Sequence, residues 1–415
     1  MFGSPPVDGA TLYEGVRATY TRAGGGEAPA APRARTPVEA AARVRQTLEQ
    51  LVADALRGVE RAAVLTGGGL DSSALLALAH RWGLRRGVSV FGVALDFGGP
   101  GDDRPYLAAL ERHLGCEVLR VRPEDAAARV DLFRRGVDAA PFTWPSGAME
   151  VEGLARARAR GAEVVLTGVG ADELLDGDPR ALARVALRSP RAALRSARAM
   201  RGFERPPRPA ARWLARPMIS ALLPAPVRRW RARRARVAPP AWAAPVFLEH
   251  EAARELRGDA PSRIWELPHH EHLAWLCHQQ EVAAGIACRQ PFLDPRLRRL
   301  VGALEPAWLL HGDIRRGLFR EAVRELLPAA LVEREDKAGF EEGLARFLAA
   351  SGGFDALRPL ADGRELVSLG LVDGRRLGDA FAAFERAPTD GERWGAVWPV
   401  LAVESFLRAR REASR

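Results

Sequence analysis

Three short stretches carry residue types whose spacing can do chemistry. The first is Leu65–Ser73, LTGGGLDSS, where an apolar run ends in three glycines, an aspartate and two serines. Glycines let backbone N–H groups crowd around an anion, and a helix opening at Asp71 adds the positive end of its dipole. That combination is a phosphate cradle, although a glycine turn with Asp71 as a helix cap is the plainer alternative. No lysine follows as in GxxxxGK[ST], and the spacing is not GxGxxG. The second stretch, Thr167–Gly177, TGVGADELLDG, again sets glycines and then acids, Asp172 and Glu173, after an apolar run. The third, EREDKAGF from Glu333 to Phe340, contains Lys337, the one lysine in a chain with 62 lysines and arginines. A compact ammonium on a flexible stem does things that a planar guanidinium does not, but a surface lysine beside Glu335 and Asp336 with no role is equally consistent with this stretch alone.

These loops need elements to deliver them. Pro37 opens a helical pattern, VEAAARVRQTLEQLVADALRG, that Gly58 closes. After it strand and helix patterns alternate: AAVLT, DSSALLALAHRWG, VSVFGVALDF, DRPYLAALERHLG, CEVLRVRP, more helix, and AEVVLT. Such alternation predicts an α/β fold, an open parallel sheet with helices on both faces, whose ligands bind at the carboxyl ends of the strands. From about Leu174 onward no strand pattern is evident, and the C-terminal half is expected to be helical throughout. The expected boundaries are 1–36 as an N-terminal remnant and linker, 37–176 as the nucleotide-binding region, 177–245 as an arginine-rich helical insertion, and 246–415 as a helical region completing the site.

A hydrophobic fraction of 47% and no uncharged apolar run of bilayer-spanning length fit a globular protein without a transmembrane segment, expected in the cytoplasm. Three cysteines without CxxC spacing, Cys116, Cys277 and Cys288, read as reduced buried thiols. The net charge of +10 arises in one segment, Asp178 to Arg236, which holds 17 arginines against two acids. Its arginines recur at helical spacing, so the segment is either a solvated helix face or a surface for an acidic peptide, a leader or an anionic membrane. No nucleic-acid-binding motif accompanies it. The HHEH of residues 269–272 lacks the paired-histidine spacing of a helical zinc site, and reads as a helix packing Trp275 and Cys277 inward. Trp394, Trp398 and Phe406 read as core.

GGLDSS resembles the pyrophosphate-binding loop of the ATP pyrophosphatases, specifically of the asparagine synthetase family. GVGADE, RQPFLD (Arg289–Asp294), RRGLFREAVRELLP (Arg315–Pro328) and REDKAGF resemble, in the same order, the other segments of that family's synthetase domain, over roughly residues 40–410. The resemblance implies ATP and Mg2+ as cofactors and adenylation of a carboxylate with release of pyrophosphate. It implies Asp71 and Asp172 as Mg2+ ligands, and Gly67, Gly68, Gly69, Ser72 and Ser73 as the pyrophosphate loop. Thr66, Val93, Thr167, Gly168 and Glu173 fall at positions around the nucleotide. Lys337 matches the lysine that reaches the phosphates and the charge of acyl transfer.

Departures from the family shape the functional expectation. The chain begins Met1-Phe2, where glutamine-using members begin Met-Cys, so glutamine hydrolysis is not expected. Ala287 stands where asparagine synthetases have a glutamate, Gly67 replaces the first loop serine, and Arg315 and Arg316 stand where lysine is frequent. The favoured expectation is an amide-forming ligase related to lasso peptide macrolactam synthetases, acting on a small-molecule or peptide carboxylate. Alternatives are asparagine synthesis by a chain lacking its N-terminal domain, other amide formation as in β-lactam synthetases, and a non-catalytic nucleotide-binding protein.

Overall fold

The computed structural model describes residues 34–98, 102–175, 227, 240–247, 268–334 and 339–414. The apolar runs form strands β1 (Arg61–Thr66), β2 (Ser89–Leu95), β3 (Val118–Val121) and β4 (Val164–Thr167). All pair in parallel, in the spatial order β3-β2-β1-β4, with a further strand β5 (Ala287–Arg289) beyond β4. The fifth strand corrects the expectation of a strand-free C-terminal half. Three residues carry no legible period, and Ala287–Arg289 is extended because β4 offers it an open edge, with Val164 opposite Ala287 and Leu166 opposite Arg289.

Helix α1 (Pro37–Ala55) starts where the sequence signals it. The Thr36 hydroxyl accepts from the Glu39 N–H at 3.2 Å, and the Glu39 carboxylate reaches back to the Arg35 N–H at 2.8 Å. The sheet is then crossed by α2 (Leu70–Arg86), α3 (Arg104–Leu114), α4 (Asp131–Arg135) and α5 (Gly147–Ala159), and α6 (Ala171–Leu175) follows β4. Later come α7 (Pro268–Ala284), which feeds β5, then α8 (Pro295–Gly302), α9 (Gly317–Val323), α10 (Ala329–Val332) and α11 (Glu341–Ala350). Four more helices, α12 (Gly353–Leu357), α13 (Arg364–Ser368), α14 (Gly374–Arg386) and α15 (Gly391–Ala413), close the described chain.

Alternation along β1 divides the interior in two. Ala62 and Val64 point into a core shared with α1, α2, α3 and α9, while Ala63 points into a second core with α5, α11, α14 and α15. Trp394 and Trp398 sit in the second core with ring centroids 5.1 Å apart, and Phe406 is buried nearby. Both sheet faces are therefore dry, which is why the strands read as unbroken apolar runs. The chain leaves β1 toward β2 and β3 and returns on its other side as β4, so the direction of winding reverses between β1 and β4. In a doubly wound sheet, that reversal opens a crevice at the carboxyl ends of the two strands.

Cys116, Cys277 and Cys288 are free and buried. Among the described residues no helix is long and apolar enough to cross a membrane. The arginine-rich segment lies almost wholly outside the described residues, as do the side chains of His269, His270 and His272.

Candidate active site

The loops leaving β1 and β4 meet at that reversal. Between β1 and α2 the backbone folds back on itself: the Gly67 N–H donates to Ser72 Oγ at 3.0 Å, and Ser73 Oγ donates to the Gly67 carbonyl at 3.1 Å. Ser73 is fully buried. Its O–H holds the loop in this structure. The side chain of Val93 lies in the second core against α5, where Gly153 gives the helix room to approach. Leu95, further along the same strand, is the residue of β2 that lines the cavity.

A cavity of about 530 Å³ opens at this point. Its walls include Thr66, Gly67, Gly69, Asp71 and Ser72 from the first loop, and Thr167, Gly168, Asp172 and Glu173 from the second. A Cβ on Gly69 would meet nothing within 4 Å, so the backbone faces open space there. On Gly68 it would run into Arg334 at 2.6 Å, Asp103 at 2.8 Å and Tyr106 at 2.9 Å, so Gly68 braces the loop from behind. The second loop is set by the PFLD segment. Gly170 has φ +91° and a Cβ there would lie 2.3 Å from Leu293, so Gly170 and Leu293 interlock two residues before Asp172. Asp294 of that segment caps α8, accepting from the Arg296 N–H at 2.8 Å.

Arg316 joins the two loops. Its guanidinium contacts the carboxylates of both Asp71 and Asp172 at once, so acids 101 positions apart in sequence converge within the span of one planar cation. Arg316 holds left-handed backbone, φ +58° and ψ +28°, an uncommon conformation for a side-chain-bearing residue and one that clusters at functional sites. The following Gly317 has no room for a side chain, since a Cβ would fall 1.6 Å from the His311 carbonyl oxygen. Behind it the buried Arg320 ties three carbonyls together: Arg315 at 2.9 Å, Arg334 at 2.7 Å, and Val332. Arg334 in turn donates to the Gly68 carbonyl at 2.7 Å, pairs with Asp103 at 2.5 Å and lies 3.9 Å over the Tyr106 ring. The family segments RRGLFREAVRELLP and REDKAGF contain these arginines, but their partners are not legible in the sequence.

The donor set fits a hard divalent cation with a polyphosphate. Oxygen ligands suit Mg2+, and two carboxylates converge. The Oδ1 atom of Asp71 is buried without a hydrogen-bond partner among the described residues, as is the hydroxyl of Thr167. Such atoms are costly unless something coordinates them. Lys337 lies in residues 335–338, outside the described residues; on either side of that segment Arg334 and Phe340 both line the cavity. Ala287 is half-buried on β5.

A doubly wound parallel sheet with a glycine loop and paired acids at its reversal point defines a nucleotide-binding α/β protein. The family model for asparagine synthase matches residues 43–408, and the chain belongs to that family. It is also 41% identical over 80 residues to a tRNA(Ile)-lysidine synthase of Hyphomonas neptunium. That stretch is 19% of this chain and spans 22% of the relative's length.

Proposed function

We propose that the protein is an ATP-dependent amide-forming ligase that adenylates a carboxylate, releases pyrophosphate, and passes the acyl group to an amine. The observation that carries this reading is the convergence of Asp71 and Asp172 on a single cation at the strand reversal, beside a glycine loop. Asp71 and Asp172 would hold Mg2+, which supplies positive charge to the departing pyrophosphate. The Gly67–Gly69 backbone and the Ser72 hydroxyl bind its oxygens, and Thr66, Thr167, Gly168 and Glu173 form the wall around the nucleotide. Arg316 balances the two acids and offers a second cation to the phosphates. Lys337 supplies the ammonium that stabilises negative charge during acyl transfer.

Peptide macrolactam formation is the finer reading. Ala287 in place of the glutamate of asparagine synthetases favours it over asparagine formation. Exchange of labelled pyrophosphate into ATP tests both levels, with Mg2+ and either L-aspartate or a peptide bearing an Asp or Glu side chain. Peptide-dependent exchange without aspartate-dependent exchange is expected. Exchange with aspartate alone would return the protein to asparagine chemistry, and exchange with neither would overturn adenylation.

A further inference from the structure

Glu150, in the first turn of α5, lines the same cavity, and its charge is handled unlike that of its neighbours. Each of its carboxylate oxygens is held by neutral donors: Oε1 accepts from the Ser146 hydroxyl at 2.6 Å and the Trp144 indole N–H at 3.1 Å, and Oε2 from the Gln280 amide at 2.5 Å. Gln280 is buried and comes from α7, 130 positions away, so the carboxylate is fixed between two helices. Among the described residues no arginine pairs with it. The contrast with nearby acids is sharp in a chain so rich in arginine. Glu152, two residues on, is held by Arg129 and Arg156; Asp103 is held by Arg334; Asp71 and Asp172 share Arg316.

A fixed, half-buried carboxylate without a counter-charge, opening on a cavity, is a site for a cation. Trp144 adds to this. It lines the cavity at 38% exposure, among the large apolar side chains most open to solvent, and an aromatic face attracts ammonium groups. The charge is felt locally: the buried Cys277 thiol is pushed up to about 12, first by burial and then by Glu150 and Glu281. From these observations we infer that Glu150 and Trp144 bind the protonated amine of the second substrate. The inference rests on the ligase reading, which requires an amine, and it makes that substrate a primary ammonium compound. Glu150 is then a positioning residue: it holds the ammonium form, and once that proton has passed to solvent the free amine attacks the acyl-adenylate and displaces AMP.

Titration with ethylammonium chloride tests it, with ethanol as the neutral counterpart and potassium chloride at matched ionic strength. The expected result is a saturable change in tryptophan fluorescence with ethylammonium alone, abolished by Trp144→Phe and weakened about tenfold or more by Glu150→Gln. No difference between ethylammonium and potassium chloride, a signal that survives Trp144→Phe, or unchanged affinity in Glu150→Gln would overturn it. The wild-type comparison of probes decides the matter even if Glu150→Gln folds poorly. The titration contains no ATP, so its failure removes the amine site and leaves adenylation standing; failure of pyrophosphate exchange does the reverse.

Discussion

Under the proposed function, Lys337 and Arg316 would divide the cationic chemistry of the site between two kinds of charge. Arg316 is planar and spans two carboxylates, a task suited to a fork of fixed donors. In the proposed reaction a compact ammonium meets the charge that develops during acyl transfer, a task to which a broader planar guanidinium is less suited. Lys337→Arg is therefore expected to lower kcat by about 10²-fold, the usual loss for one preorganised stabilising group, with ATP binding far less affected. Steady-state kinetics of the variant checks this, and near-normal turnover would remove Lys337 from the mechanism. At this scale the sequence was a partial guide. Asp71, Asp172 and the glycines stood out because loops of that composition have few other uses. The partners of Arg316, Arg320 and Arg334 were not legible, because an arginine's role here is set by groups as far away as 266 positions along the chain.

The turn before α9 and the chain after α10 are held by one buried guanidinium. Arg320 donates to the carbonyls of Arg315, Val332 and Arg334, and Arg334 then supports the glycine loop through Gly68. Arg320→Leu removes charged donors from three carbonyls, each contact being worth about 1.5 kcal/mol or more, so a loss of stability of about 3 kcal/mol or more is expected in urea unfolding. Gly317→Ala should do comparable damage by a different route, because a methyl group cannot occupy space 1.6 Å from the His311 carbonyl oxygen. A variant of either kind with an unchanged urea midpoint would contradict this account of the turn. The four long strands were legible from their apolar runs, since each is covered on both faces. Ala287–Arg289 was not, because a three-residue edge strand owes its conformation to β4 and not to its own pattern.

Across the molecule, the two cores on either side of the sheet keep the thiols neutral. Burial pushes Cys116 up to about 11, and burial with the charges of Glu150 and Glu281 pushes Cys277 to about 12. Their native values lie above that of an unfolded thiol, so the stability they contribute is fully present below about pH 9 and is lost as pH rises toward 11 and 12. The urea midpoint should accordingly fall between pH 9 and 11, and iodoacetamide at pH 8 should label these cysteines only after unfolding. Rapid labelling of the native protein would show that the cores are open. The whole-chain arrangement also explains why the family was recognisable before the architecture was: the motifs that carry the resemblance are the loops at the reversal of the sheet, and the elements between them serve to bring those loops together.

Calorimetric titration of the protein with ATP, with and without Mg2+, tests the convergence of Asp71 and Asp172 most directly. Wild-type protein should bind ATP more tightly with Mg2+, and Asp71→Asn and Asp172→Asn should each abolish most of that gain while keeping the fold. If both variants retain the full Mg2+ dependence, the two carboxylates do not share a metal ion, and the site assigned here is not where the nucleotide reacts.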